Sequence, residues 1–409
     1  MYALPAAALA ATVVLAGAGP VAAGDWVTVG KGLVDSSRPD VARGGRTTRV
    51  VWTTPAGSLN SRVVSARGTL RAVEVVTQGW DFLSPDPVRS GGRYVAAGLR
   101  AAPGSWAYWP GYAFSTSGEL PMAVTDWPYA YASQGQDATT VGGRLVYVFT
   151  DGGAAVRVTS PGAATAEVSR GTAFMPAIAG DGPATHIGWF SAGPEPGILV
   201  APVGGLPAAA TIGQPVAAPG SGFTQPAQRV ALASLSGNAW TAYPVATDRI
   251  RIWQVGDPGW RDLRVARAVV AVDLAAAADG RLWLAYLTGR QACTARSDPR
   301  VRRFGAPTCR RLAGGVSVTL TAASSAEVVA TDGRVARYAR FLPGLSVRVD
   351  RRRGRVRVLD AGVPVSGARV TVANRTARTN ARGLARLTWV GQQRVDVRAP
   401  GYERAAVRG

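Results

Sequence analysis

The chain has 409 residues, 50 of them glycine and 27 proline, a proportion that suits many short strands and tight turns and argues against long helices. Its formal charge is +21, nearly all arginine because Lys31 is the only lysine, and such a field favours anionic partners: wall polymers, acidic polysaccharide or a phospholipid surface. A single histidine, His186, excludes a zinc centre built on histidines and leaves one imidazole for any Ser-His-Asp triad.

Residues 1–23 carry no charge and end in Val21, Ala22 and Ala23, so small residues stand where a signal peptidase needs them and cleavage before Gly24 is expected. An uncleaved anchor is the rival reading, weakened by Pro5, Pro20 and the many alanines and glycines. No later stretch is long and apolar enough to span a bilayer. The expected mature chain is therefore extracellular or cell-wall associated, and monomeric.

From Gly44 onward a small-residue pivot followed by a short apolar run recurs. The copies start at Gly44, Gly91, Gly142, Asp181, Gly237, Asp279 and, less clearly, Ser324, with spacings of 47, 51, 39, 56, 42 and 45 residues. After the pivot run comes a second turn and another alternating run, as in residues 55–68, 151–162, 195–205 and 247–256, and an apolar segment such as Met175 to Ala179 precedes it. These are the strands of a short antiparallel sheet, and the period suits a four-stranded propeller unit. The expected fold class is all-β: a β-propeller of about seven blades over residues 24–343, then a small β-sandwich over residues 344–409. The spacing leaves six or eight blades open, and stacked sandwiches are the rival architecture, which gives no reason for a sustained period. Trp52, Trp189, Trp240 and Trp283 fall in strand runs and are expected to fill the wedges between sheets.

Between two pivots lies an aromatic-rich insertion. Trp80, Trp106, Trp109, Tyr112, Trp127 and Tyr129, with Asp81 among them, stand beside Gly, Pro or Ser in segments that read as long loops. Exposed rings there would stack on sugars or pack a peptide; filling wedges between sheets is the equal alternative. Asp81 and Asp86, Glu119 and Asp126, and Glu195 are the carboxylates that could serve a glycosidase, and Asp81, Asp126 and Glu195 are expected not to share a pocket. His186, between Thr185 and Ile187 in a strand run, is expected to be structural. No P-loop, dinucleotide or G-x-S-x-G signature stands in a suitable context, so no catalytic residue, metal or cofactor is assigned. Nucleic acid is not expected as a partner, since neither a recognition motif nor a basic helix is present.

Cys293 and Cys309 are the only cysteines and enclose a basic loop, so a disulfide is expected in an exported chain. From Gly344 to the end, 15 arginines face only Asp350, Asp360, Asp396 and Glu403, a net +11 over 66 residues. The bias toward Ala, Arg, Gly and Val resembles that of a GC-rich bacterial genome, which would explain arginine over lysine but not the scarcity of acids.

The tail alternates apolar and polar residues between turns. Gly362, Pro364, Val365, Gly367, Ala368 and Val370, then Thr379, Asn380 and Gly383, then Pro400, Gly401 and Tyr402 resemble the carboxypeptidase regulatory-like, transthyretin-like family, with Asn380 in place of its usual Asp. The resemblance covers the last sixth of the chain and implies a non-catalytic accessory sandwich. The body resembles a sialidase-like propeller in architecture only. That family's S-x-D-x-G-x-x-W turn is absent, the nearest approach being Ser236, Gly237, Asn238 and Trp240 at the wrong spacing. The sequence thus points to a non-catalytic binder of an envelope ligand, carbohydrate among the candidates, with a sialidase-like hydrolase or polysaccharide lyase as the alternative.

Overall fold

The computed structural model describes residues 25–408 apart from 34–37, 56, 67, 78–80, 91–92, 102–108, 115–117, 121–134, 153, 170, 182–183, 195, 223–228, 388 and 390. Of β6 to β9 below, only a few residues near the middle of β6 and β7 have described side chains. The expected signal segment lies outside the described residues.

Among the described residues the chain forms strands and no helix, so none is long and apolar enough to cross a membrane. After β1 (Val27–Lys31), the first sheet is β2 (Asp40–Gly44), β3 (Thr47–Thr53), β4 (Leu59–Ser65) and β5 (Leu70–Thr77). The second is β6 (Asp81–Ser90), β7 (Arg93–Ala101), β8 (Trp109–Phe114) and β9 (Gly118–Leu120). The third is β10 (Gln136–Val141), β11 (Arg144–Thr150), β12 (Val156–Thr159) and β13 (Ala166–Glu167). The fourth is β14 (Ala173–Asp181), β15 (Ala184–Ser191), β16 (Gly197–Gly204) and β17 (Thr211–Ile212), with β18 (Val216–Ala217) also on β16. The fifth is β19 (Ala231–Leu235), β20 (Asn238–Ala246), β21 (Arg249–Gln254) and β22 (Trp260–Arg264). The sixth is β23 (Ala271–Ala277), β24 (Arg281–Leu287), β25 (Gln291–Arg296) and β26 (Thr308–Arg311). The seventh takes β27 (Val318–Ala322), β28 (Ala326–Asp332) and β29 (Val335–Phe341), and β1 pairs antiparallel with β29 as its fourth strand.

The first strand of each sheet lies against the first strand of the next: β2 on β6, then β10, β14, β19, β23, β27 and back to β2. No sheet closes on itself. Closure is around this ring, and β1 ties the two ends of the body together. Every sequence pivot falls between the first and second strands of a sheet, where the chain turns outward from the ring.

The core sits between neighbouring sheets. In β24, Leu282, Leu284 and Tyr286 pack toward the fifth sheet, while Trp283, Ala285 and Leu287 pack toward the seventh. Both faces are buried, so the strand reads as a continuous apolar run rather than an alternating one. Each of these leucines contributes roughly 1.5 to 3 kcal/mol by leaving water. Trp52, Trp189, Trp240 and Trp283 are all buried in these wedges, as expected. Gly30 in β1 is fixed by one of them, because a Cβ there would come within 2.5 Å of the Trp52 ring. Buried Glu327 on β28 accepts from Arg43 of β2 at 2.9 Å and Arg340 of β29 at 3.1 Å, clamping the seventh sheet to the first.

The remaining strands form two sheets. One is β30 (Ser346–Asp350), β31 (Arg355–Asp360) and β32 (Val363–Pro364), with β35 (Leu384–Arg386) also on β31, on the edge away from β30. The second runs β34 (Arg375–Arg378), β33 (Arg369–Val372), β36 (Arg394–Arg398) and β37 (Ala405–Arg408). Val356, Val358, Ala368, Val370, Val395 and Val397 meet between them. The motif residues build turns and packing here. Thr379 Oγ1 donates to the Val365 carbonyl at 2.6 Å and accepts from the Ala368 amide at 2.8 Å. Asn380 Oδ1 accepts from the amides of Arg382 and Leu384 at 2.9 and 3.1 Å, so it makes the turn an aspartate would make.

These sheets dock on the sixth sheet of the body through two carboxylates. Asp360 at the end of β31 accepts from Arg281 at 2.9 Å and from Arg296, and Glu403 accepts from Arg310 at 2.8 Å.

The disulfide forms, joining facing residues of β25 and β26. Cys293 is buried in the apolar core between the fifth and sixth sheets, while Cys309 is exposed on the outer strand. The two are 16 positions apart in sequence, so reducing the bond should lower unfolding stability by about 3 kcal/mol, read from urea unfolding with and without reductant. An unchanged midpoint would count against this.

Candidate functional site

The Arg229 side chain crosses the middle of the ring. Arg229 precedes β19 of the fifth sheet, yet its Nη1 donates to Asp40 of the first sheet at 2.8 Å and lies 3.0 Å from Asp137 of the third. A group reaching both must stand across the central space. Asp273 of the sixth sheet also feels the Arg229 charge.

These acids occupy matching places in the first strands of their sheets, and two of them also tie neighbouring strands. Asp137 accepts from its own following amide, Ala138, at 2.9 Å, and from Ile178 of the next sheet at 2.8 Å. Asp273 repeats this with Leu274 at 2.9 Å and Leu320 at 2.8 Å. Asp40 accepts from Val41 at 2.6 Å. Burial raises Asp273 to about 7 against the pull of Arg229, and raises Asp137 as well. The cluster is a buried staple of the ring, with its carboxylate oxygens turned to main-chain amides and the guanidinium.

Beside it a groove of about 510 Å³ opens between the fourth, fifth and sixth sheets. Phe190, Tyr243, Val245 and Val269 give it apolar walls, Arg229 stands at its inner end, and Thr247 is exposed at the turn after β20. The Tyr243 hydroxyl donates to the Pro219 carbonyl at 2.9 Å, and burial raises its pKa, so it stays protonated. Because Arg229 is matched by Asp40 and Asp137, the groove suits an uncharged ligand with both apolar faces and polar groups.

Several of the residues singled out in sequence stand on strands. Residues 81–90 form β6 and residues 109–114 form β8, so Asp81, Asp86, Trp109 and Tyr112 stand on strands and not in the expected loops. The prolines hid this. A register shift between Leu83 and Asp86 takes Ser84 and Pro85 out of the ladder, after which Pro87 sits opposite Ala96. Glu119 lies in β9. Trp80, Trp106, Asp126, Trp127, Tyr129 and Glu195 lie outside the described residues. His186 is on β15, half-buried, with its Nδ1 unpartnered among the described residues and its pKa lowered by burial. The staple and the groove were missed. A signal existed, an acid four to six residues ahead of a pivot in Asp40, Asp137 and Asp273, counting to Gly44, Gly142 and Asp279.

No family model matches the chain, and no curated protein matches it. Among solved structures it is similar to the BP39L lectin from Burkholderia pseudomallei, with 12% identity over 80% of this chain and 96% of that one, at a TM-score of 0.52. The body is a β-propeller. Further matches are weaker: BBS1N in complex with ARL6DN, at 11% identity over 79% of this chain and 98% of that one with a TM-score of 0.47, and the six-bladed Aleuria aurantia fungal lectin, at 11% identity over 82% and 99% with a TM-score of 0.45. At these identities the likeness concerns fold alone. Among the described residues no group of three or more His, Cys, Asp or Glu side chains could hold a metal ion.

Proposed function

We propose that the protein is an exported, non-catalytic propeller of seven blades that binds a neutral carbohydrate of the cell envelope or extracellular space. The C-terminal sheets are, in this reading, a transthyretin-like attachment module. The groove between the fourth, fifth and sixth sheets carries the proposal, because its apolar walls suit the C–H face of a sugar ring and its charge is already compensated. The lectin with the same fold supports the same class of ligand.

Ala246, exposed at the groove margin, is the position to test, since a large side chain there fills the groove without opening the core. The Ala246→Trp variant should bind neutral oligosaccharides at least ten-fold more weakly than the native chain on a glycan panel, at an unchanged melting temperature. Undiminished binding would remove the groove from the account.

The hydrolase or lyase reading has one observation in its favour, the convergence of Asp40 and Asp137 on an axial arginine. It predicts new reducing ends from the bound glycan. The binding reading predicts none.

A further inference from the structure

The C-terminal sheets carry arginines where the fold has no use for them. In the sheet built on β31, the outward residues of neighbouring strands are paired like with like: Arg348 faces Arg357, and Arg355 faces Arg386. Like charges directly opposite each other destabilise a ladder. Threonine or valine would serve the sheet better. Asp350 is the one acid of this face; it stands opposite Arg355, and its ion pair is with Arg353 at 3.9 Å.

On this face lies a cleft of about 450 Å³ lined by Arg355, Asn380, Ala381, Arg382, Leu384 and Arg386. Three guanidinium groups and a carboxamide surround it and, among the described residues, no carboxylate does. Asn380 Oδ1 is occupied by two amides, which leaves its NH₂ group as the polar feature it can offer a ligand. The cleft is also well placed. Arg355 begins β31 and Asp360 ends it, so the cleft lies at the end of the strand opposite the docking carboxylate, about 17 Å along it. Arg351, Arg352 and Arg353 stand exposed in the preceding turn.

We propose that this cleft binds the carboxylates of an acidic polysaccharide. Guanidinium forks match carboxylates in pairs, and arginines on adjacent strands repeat at about 4.8 Å, close to one sugar of a uronate chain. Single-stranded nucleic acid is the poorer fit, because among the described residues no aromatic ring lines the cleft for a base to stack on. The proposal deepens the attachment reading above and gives it a site.

The test compares two variants of the full mature chain with equal loss of charge. One replaces Arg355, Arg382 and Arg386 by glutamine. The other replaces Arg369, Arg378 and Arg398, which face each other across β34, β33 and β36 of the second sheet. The probe is a uronate oligosaccharide of about ten residues at 50 mM salt, with polyphosphate and single-stranded DNA of equal charge beside it. The cleft variant should lose ten-fold or more in affinity for the uronate and the control variant less than three-fold, and the melting temperature of the cleft variant should not fall. Equal losses in both variants would leave attachment to net charge alone and overturn the cleft. Tighter binding of polyphosphate or DNA than of uronate would overturn the ligand.

Discussion

Replacing Arg229 with glutamine should cost about 3 to 5 kcal/mol of unfolding stability at pH 8 and much less at pH 4.5. At pH 8 the variant leaves Asp40 and Asp137 buried without the cation that now lies 2.8 and 3.0 Å from them. The pH dependence follows from the acids. Burial has already lifted Asp273 to about 7 and raised Asp137, so the folded chain holds these protons more tightly than the unfolded one. Their contribution to stability is therefore greatest below the unfolded value near 4 and falls as pH rises, for Asp273 through about 7. Without Arg229 both carboxyls rise further and the fall steepens. Urea unfolding of both chains at the two pH values gives the comparison, and an equal loss at each would mean that Arg229 acts by packing.

Asp360→Ala should cost a similar amount, about 3 to 5 kcal/mol, and should loosen the C-terminal sheets from the body. The carboxylate is buried and serves both Arg281 and Arg296, whose side chains are 13% and 9% exposed. Removing it leaves two guanidinium groups close together. The remaining acid, Asp279, is 3.8 and 3.7 Å from them and 41% exposed, too solvated to replace it. The expected signature is a lower urea midpoint together with faster proteolysis between Phe341 and Ser346, where β29 leads into β30. Retention of both native stability and native protease resistance would show that the docking rests on other contacts.

How much of this could be read beforehand follows from where each contact partner sits along the chain. The pivots were legible because the strands around them are buried on both faces, as in β11 and β24, and their partners lie a few residues away. The outer strands were not. Trp260–Arg264 alternates exposed and half-buried residues, and Ala166–Glu167 is two residues long, so neither carries an apolar signal. The pairing of Val27–Lys31 with Val335–Phe341 spans about three hundred residues, and nothing in VTVGK names its partner. The axial staple was hidden for the same reason: Arg229 and Asp40 are 189 positions apart and meet only once the ring closes. Pro85 and Pro87 masked β6 until the register shift that accommodates them was seen. The Cys293–Cys309 bond, by contrast, needed only two cysteines and a turn between adjacent strands.

Hydrogen–deuterium exchange of the mature chain, with and without a neutral oligosaccharide that it binds, tests the carbohydrate reading most directly. New protection is expected in residues 220–222, 242–247 and 268–272, three of the segments that line the groove, with none on the C-terminal sheets. Protection confined to other parts of the chain, or conversion of the oligosaccharide during the measurement, would contradict that reading.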